Sequence, residues 1–278
     1  MDGLTTRGSL VADEFRLYRR IVAARIRSDW QYRTAFFTLV VSQSFFIVFE
    51  LLALLFLIDL VPQFGGWSRA QVVFLYAMAT LPFSIGDVFI SEVETLAYRY
   101  IRDGEFDTVL LRPASALLQI LALEFELRRA GKLLAPTIVL CWAIANVEVD
   151  WTVGRVTMLV VAVISGTAIY SGFWVIAGSI PFWAVASREA TNAMTYGSQF
   201  ANQYPLHIYP GWIRAVMGWA LPLAFVAYVP TISVAGAANP LDLPTWMAFT
   251  PPAVAVAVGI VARLVWRSGI THYQSTGS

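Results

Sequence analysis

The sequence predicts an all-α integral membrane protein with six transmembrane helices, and three observations lead to this fold class. Hydrophobic residues make up 58% of the chain and charged residues only 13%, whereas an ordinary soluble domain carries roughly 25% charged residues. The apolar residues gather into runs close to the ~20 residues that cross a bilayer. The charges lie mainly between those runs, and they are too few and too clustered to cover a water-soluble surface.

Six apolar runs give the predicted spans. They lie at residues 35–60, 71–90, 133–146, 156–185, 216–237 and 243–266. A long polar stretch, residues 91–131, separates the second run from the third. We therefore expect one transmembrane domain over residues 34–278, preceded by a separate N-terminal segment, residues 1–33.

The placement of arginine orients these spans. Cytoplasmic flanks of membrane helices carry an excess of Arg and Lys. With six crossings and an inner N-terminus, the outer side keeps only Arg69, Arg155 and Arg214 of the 19 basic residues. Both termini are therefore predicted to be cytoplasmic, in a multi-pass protein of the inner (plasma) membrane. A net charge of +1 without a basic stripe gives no support for a nucleic-acid partner.

Two topologies remain open between the fourth and sixth runs, where residues 203–212 read QYPLHIYPGW. Its prolines end any helix that passes through it. In the first topology, residues 216–237 form the fifth span and QYPLHIYPGW is cytoplasmic. In the second, residues 190–202 cross outward, QYPLHIYPGW is external, and residues 211–237 dip into the membrane and return. Hydropathy alone favours the first.

The N-terminal segment has the pattern of an interfacial amphipathic helix. Phe15 and Tyr18 begin an apolar series at helical spacing, and Arg16, Arg19 and Arg20 lie between its members. Such a helix would lie in the headgroup plane with its arginines toward the phosphates. The alternative is a positive flank that only sets the topology.

Two acids fall inside predicted spans. Glu50 lies near the middle of the first span, where an ionisable group normally faces protein or water rather than lipid. It is a candidate for lining a transport pathway, or else a hydrogen-bonded residue that holds helices together. Asp87 falls in the last turns of the second span, where solvation near the inner surface is easier. A structural role is therefore favoured for Asp87, and lining the transport pathway is the alternative.

No enzymatic motif occurs in the sequence. It contains neither a P-loop, nor G-x-S-x-G, nor H-E-x-x-H, and His207 and His272 are its two histidines. His207 lies between prolines without a nearby acid or thiol in sequence. The sequence therefore predicts no catalytic residue, no metal ligand and no cofactor held by this chain.

Residues 98–113, YRYIRDGEFDTVLLRP, mix charges with large apolar side chains. Gly104 can end a helix, and Arg112 followed by Pro113 marks another break. This composition suits a docking surface: Phe106, Val109, Leu110 and Leu111 would enter a groove on a soluble partner, and Glu105, Asp107 and Arg112 would fix the register. The alternative is a solvated loop, although a loop that only joins two spans can be much shorter.

The chain resembles the permease subunits of ABC transporters of the ABC-2 type, in the branch with six spans. Four features carry the resemblance: the basic N-terminal helix, the G-E-F-D-x-x-L-x-R-P run at residues 104–113, the YPLHIYPGWIR block followed by LPLAFVAYVP, and the ending GITHYQSTGS. The resemblance covers most of the chain, and the run at residues 104–113 is its most specific part.

The resemblance implies a permease that works with a separate cytoplasmic ATPase dimer, which would bind the ATP and Mg²⁺. It implies a second permease copy or a related permease, and a coupling helix between the second and third spans that contacts the ATPase. The coupling residues carried over are Gly104, Glu105, Phe106, Asp107, Leu110, Arg112 and Pro113. The family also has external re-entrant helices before the last span, which favours the second topology. Most relatives export, so the implied activity is efflux of a lipid, a polymer or a hydrophobic natural product.

Two other classes of function stay open. A stand-alone secondary carrier or channel would show intramembrane acids and bases or broken helices in matching halves, and no convincing internal repeat is present. A membrane-embedded enzyme acting on lipid would cluster Asp, His or Cys at one membrane depth, which the sequence does not do.

Overall fold

The structure is a computed structural model that describes residues 33–60, 66–96, 100–101, 104–112, 115–123, 127–183 and 188–273. Within those ranges the chain is helical and contains no strand, in agreement with the predicted all-α class. The predicted interfacial helix with Arg16, Arg19 and Arg20 lies outside the described residues, and so does Pro113.

Ten α-helices make up the described part of the chain. They are α1 Arg33–Leu60, α2 Arg69–Ile90, α3 Phe106–Leu110, α4 Ala116–Leu123, α5 Leu134–Asn146, α6 Val153–Ser179, α7 Arg188–Asn202, α8 Gly211–Ala215, α9 Tyr228–Val234 and α10 Pro251–His272. Shorter 3-10 turns join or extend them at Ser91–Leu96, Leu127–Leu133, Ile180–Phe182, Leu206–Ile208, Leu223–Phe225 and Thr245–Phe249, and a π-helix follows α8 at Val216–Ala220.

Four described helices are long and apolar enough to cross a membrane. They lie at Val40–Ile58, Arg69–Glu94, Val153–Phe182 and Pro251–His272. A fifth candidate is a pair of helices, Gly211–Ala220 and Leu223–Val234, bent by 74°. By length and composition the structure therefore has four or five spans, against the six predicted. α5 and α7 are shorter, with 13 and 15 residues, and their crossing stays a prediction.

Local sequence signals fix where the spans begin. Ser68 caps α2: its hydroxyl accepts from the Gln71 amide at 3.3 Å, and the Gln71 side chain accepts from the Ser68 amide at 2.9 Å. This reciprocal pair satisfies two backbone donors that the first helical turn would leave free. The Thr152 hydroxyl caps α6 with a single bond, by accepting from the Arg155 amide at 3.3 Å. α10 starts with Pro251, which needs no donor at that position.

The helix bundle has two ends, which we name after an aromatic residue at each. At the Trp67 end, the Trp67 indole donates to the Ala238 carbonyl at 2.8 Å and its ring lies 5.3 Å from Tyr228 and 5.4 Å from His207. At the Phe106 end, the Phe106 ring lies 5.4 Å from Phe182, just past α6. Because His207 lies at the Trp67 end, QYPLHIYPGW is at the opposite end from α3, as in the second topology.

α7 connects the two ends. Halfway along it, the Thr195 hydroxyl donates to Glu94, which follows α2 at the Phe106 end. At its finish, Asn202 donates to the Tyr170 hydroxyl in the interior and the next residue, Gln203, reaches Glu50 of α1. Polar side chains of residues 190–202 therefore make hydrogen bonds inside the bundle. A hydropathy profile does not register such bonds, so it gives this segment too low a score for a membrane span.

The bent pair enters the bundle and returns to the same end. A Cβ added at Gly166 would lie 2.9 Å from Val226 and 3.1 Å from the Pro82 Cβ. Gly166 follows the start of α6 by 13 residues, an axial distance of about 20 Å at 1.5 Å per residue, so Val226 lies against the middle of α6. The chain then comes back, because the Gln71 side chain donates to the Ala235 carbonyl at 3.3 Å. Residues 211–234 thus begin and end at the same end of the bundle, and their re-entrance into a membrane stays a prediction.

Replacing Gly166 with leucine should destabilise the fold, because the new side chain would overlap Val226 and Pro82. Overpacking of this kind costs about 1–3 kcal/mol. Gly259→Leu is the matched control, since a Cβ at Gly259 meets nothing within 4 Å. The measurement is the midpoint of thermal unfolding of the purified protein in detergent. Equal midpoints for the two variants would show that Val226 does not lie against Gly166.

Candidate functional site at the Phe106 end

The segment predicted to dock a partner folds as the short helix α3. Gly104 precedes it with φ +74°, a backbone conformation that glycine adopts without strain. The Thr108 hydroxyl donates to the Glu105 carbonyl at 2.6 Å, and the Leu111 amide donates to the Asp107 carbonyl at 3.2 Å. These local bonds hold a helix that is too short to be stable alone in water.

α3 has one face inside the protein and one outside. Phe106 is 0% and Val109 3% exposed, whereas Leu110 is 42% and Leu111 85% exposed. The prediction that Phe106 and Val109 enter a partner's groove is therefore wrong for this structure, because both already fill the chain's own core. Leu110 and Leu111 remain as the apolar docking residues, flanked by the exposed Glu105 and Arg112.

The buried face of α3 packs on an aromatic cluster of Phe182, Trp266 and Tyr273, which we call the aromatic seat. The Phe106 ring lies 5.4 Å from Phe182 and 4.9 Å from Tyr273, and Phe182 lies 5.6 Å from Trp266. Ring centroids at these separations and tilted or edge-on angles are favourable aromatic contacts. Gly269 of α10 allows the approach, because a Cβ there would lie 2.3 Å from the Phe182 ring. α3 therefore rests on the carboxyl ends of α6 and α10.

Asp107 is directed partly into the same cluster. Burial, and after it the neighbouring Asp107 carboxylate, raises the pKa of the Tyr273 hydroxyl. Tyr273 therefore stays protonated. On the other side of α3, the Gln119 side chain of α4 donates to the Val109 carbonyl at 3.2 Å. Both ends of α3 are thus fixed to the rest of the protein.

A buried ion pair lies beneath this site. The Lys132 ammonium pairs with one oxygen of Asp87, and the Tyr196 hydroxyl donates to the other at 3.2 Å. The Asp87 side chain is only 2% exposed. The expectation that Asp87 is solvated near the inner surface is therefore wrong, because residues of the 3-10 turn before α5 and of α7 cover it. Its two oxygens are used inside the chain.

Two further acids after α2 extend the polar cluster. Arg129 pairs with Glu92 and donates to the Ser91 hydroxyl. Glu94 accepts from the Trp174 indole at 3.0 Å and from Thr195 at 3.2 Å. Hydrogen bonds of this kind between charged and buried groups are among the stronger ones in proteins. They connect the turn that follows α2 with the turn that precedes α5, and with α6 and α7.

Glu50 belongs to a different region. Its carboxylate accepts from the Tyr76 hydroxyl at 3.1 Å and from the Gln203 side chain at 3.4 Å, while the residue stays exposed on the surface of α1. Tyr76 and Asp87 are 11 residues apart on α2, an axial distance of about 16 Å. The structure therefore does not bring the two pathway candidates, Glu50 and Asp87, together.

Sequence reasoning missed the partners that hold the site. Lys132 is the only lysine in the chain, and that rarity was the available signal for its special environment. Tyr273 lies in the ending GITHYQSTGS, one of the four features of the resemblance, but nothing in the sequence connects it with Phe106. Tyr196 gave no signal, because it lies in a segment whose helical path was itself open.

The comparisons with known proteins bear on residues 45–277. These residues match the model of a family described as "ABC-2 family transporter protein". The match includes α3, the aromatic cluster beneath it up to Tyr273, and the bent pair of helices. No curated protein and no solved structure matches the chain.

The two residues of the buried ion pair should differ in how much their replacement destabilises the protein. Lys132→Met leaves the Asp87 charge buried, which costs about 3–5 kcal/mol. Asp87→Asn should cost less, because Lys132 is 22% exposed and its ammonium can reach water. The double variant should recover part of the loss. The midpoint of thermal unfolding in detergent measures each effect.

The exposed Arg267→Gln serves as the control for loss of a positive charge at the same end. Equal, additive losses from the two single variants would mean that Lys132 and Asp87 do not interact.

Proposed function

The chain belongs to the ABC-2 family of transporter membrane proteins, and we propose that it is the permease of an ATP-driven exporter that works with a separate cytoplasmic ATPase dimer. The family is generally a non-enzymatic membrane subunit. The ATPase would bind the ATP and Mg²⁺ and perform hydrolysis. The permease would contribute half of a translocation pathway and receive mechanical work through α3.

The observation that carries this proposal is the exposed edge of α3 on a rigid support. Leu110 and Leu111 are exposed side by side, while Phe106 and Val109 anchor the helix from below. An exposed apolar pair with charged neighbours is the pattern of a small docking surface. The short, fixed helix would lose little conformational freedom when a partner binds, which favours association.

The contacts between α3 and the rest of the protein would transmit a displacement of α3 to the membrane helices. A push on Leu110 and Leu111 would reach α6 and α10 through Phe182 and Trp266. The ion pairs Lys132–Asp87 and Arg129–Glu92 would transmit the displacement to α2 and to the turn that follows it. For this to drive transport, the ATPase must bind two arrangements of the permease with different affinity. We place the α3 end in the cytoplasm, with both termini of the chain there, because the arginine excess lies on that side.

A second permease would complete the pathway, in line with the surface of α1. Phe45, Phe49 and Leu52 are exposed on this helix, as is Glu50. A carboxylate at mid-span costs roughly 2.5–3.5 kcal/mol when it faces lipid, so it is better placed against a second permease or a water-filled pathway. We therefore propose that α1 faces the partner permease and that Glu50 lines the route.

We propose six crossings in the inner (plasma) membrane. α5 extends backward without a break into the 3-10 turn Leu127–Leu133, and together they have the length of a span. α7 reaches from the α3 end toward the opposite end. The re-entrant element would then lie on the outer side, before the last span. Export of a lipid, a polymer or a hydrophobic natural product suits a permease of this family.

The double substitution Leu110→Ala with Leu111→Ala should weaken association with the ATPase by about tenfold or more, because each leucine loses part of its burial energy at the interface. ATP hydrolysis by the complex should lose its response to the permease. The measurement is a titration of the ATPase against the detergent-solubilised permease, together with the hydrolysis rate. The ATPase would be the one encoded beside this chain.

Leu264→Ala provides the control, because Leu264 is another exposed leucine, on α10, with an exposure of 61% between those of Leu110 and Leu111. If that variant also loses the ATPase, the effect is not specific to α3. If the intact chain binds no ATPase, the proposal of a coupled exporter fails and a stand-alone carrier becomes the better hypothesis.

Cysteine cross-linking should locate the second permease. Phe49→Cys in a Cys141→Ser background is expected to form a disulfide-linked pair on oxidation in membranes, since the chain has one cysteine. Val160→Cys on α6, also exposed, should not. The readout is the fraction of dimer on a non-reducing gel. Cross-linking at Val160 instead of Phe49 would place the partner on α6.

A further inference from the structure

Three adjoining apolar cavities surround the re-entrant element at the Trp67 end. They have volumes of about 560, 360 and 280 Å³, and the two larger fall in the range of about 300–1,000 Å³ that holds small ligands. The first two share Met158, Ser233 and Phe249 in their walls. The second and third share Val229 and Leu243. The three cavities are therefore neighbours with common walls, and we refer to them together as the cleft.

The cleft faces the region where lipid would lie. Residues at and beside its mouth are exposed and apolar: Phe249 is 72%, Val153 85% and Val160 52% exposed. The largest cavity follows α6 from Gly154 to Ala162, a length of about 12 Å at 1.5 Å per residue. One leaflet of the hydrocarbon core is about 15 Å deep. The cavity thus has the depth and the chemistry of a place for an acyl chain.

One charged side chain lines the described cleft. Arg214 forms part of the wall of the smallest cavity, beside Trp219. It is partly buried and makes no salt bridge to a residue that the structure describes. Trp219 is 80% and the nearby Trp212 70% exposed, as is usual for indoles at the level of the lipid headgroups. A guanidinium at this level has phosphate as its natural partner.

We propose that this cleft binds an anionic phospholipid of the leaflet at the Trp67 end. Arg214 binds the phosphate, and the acyl chains lie in the apolar cavities between α6, α9 and the turn before α10. The lipid would be a bound structural component that supports the re-entrant element. This inference does not depend on the proposed function, because it requires neither an ATPase nor transport.

The test is lipid-dependent thermal stability of the purified, delipidated protein in a neutral detergent. Dioleoyl phosphatidylglycerol should raise the unfolding midpoint more than dioleoyl phosphatidylcholine does, since a ligand that binds the folded state stabilises it. The Arg214→Gln variant should need about ten times more phosphatidylglycerol to reach half of the maximal rise in the unfolding midpoint. This loss of affinity is what the removal of one charged hydrogen bond is expected to cause. Arg214→Lys should keep the preference in part.

Matched control variants distinguish binding of the lipid headgroup from binding of the acyl chains. Arg155→Gln removes another arginine of the same end, which does not line the cleft, and should leave the preference intact. Thr157→Trp fills the mouth of the largest cavity and should weaken the effect of both lipids, whereas Val160→Trp, beside the cleft, should not.

Three results would overturn the proposal. They are an equal response of the intact protein to both lipids, an unchanged preference in Arg214→Gln, and the same stabilisation by inorganic phosphate alone, which would indicate a free-anion site.

Discussion

The close packing of α2 against α6 is the contact on which the rest of the structure depends. α2 is the most buried of the spans, and glycines allow the close approach. A Cβ at Gly86 of α2 would lie 2.8 Å from Trp174 of α6, and one at Gly178 of α6 would lie 2.3 Å from Val93 in the turn that follows α2. In lipid, helices associate through such close contact, because burial of apolar surface from water no longer drives them together. The re-entrant element rests against this pair at Gly166, and Trp174 reaches Glu94 from it.

Composition and arginine placement were enough to predict the helical membrane class and the four longest spans, because a run of about 20 apolar residues has few alternatives in lipid. They were not enough for α7. Its residues 190–202 are polar because Thr195, Tyr196 and Asn202 make hydrogen bonds within the bundle, and a hydropathy profile cannot distinguish a polar residue facing protein from one facing water.

The sequence predicted which segment forms the candidate site, but it did not predict the contacts that the side chains of that segment make. The sequence indicated that residues 104–113 have an unusual mixture of charge and apolar bulk, and α3 indeed lies there. Whether Phe106 faces a partner or the chain's own core depends on Phe182 and Tyr273, which are far away in sequence. The same holds for Asp87, whose environment is set by Lys132 and Tyr196. Long-range partners of this kind leave no periodic trace in one sequence.

The seat of α3 also has a consequence for biosynthesis. Phe106 leaves the ribosome early, but Trp266 and Tyr273, which complete its aromatic seat, are made more than half a chain later. Contacts this distant in sequence form late, since the intervening segments must be ordered first. A partly made chain would therefore carry the leucines of α3 without the support that orients them. The exposed surface of α3 matures only when α10 is in place, so incomplete chains would compete poorly for the proposed partner.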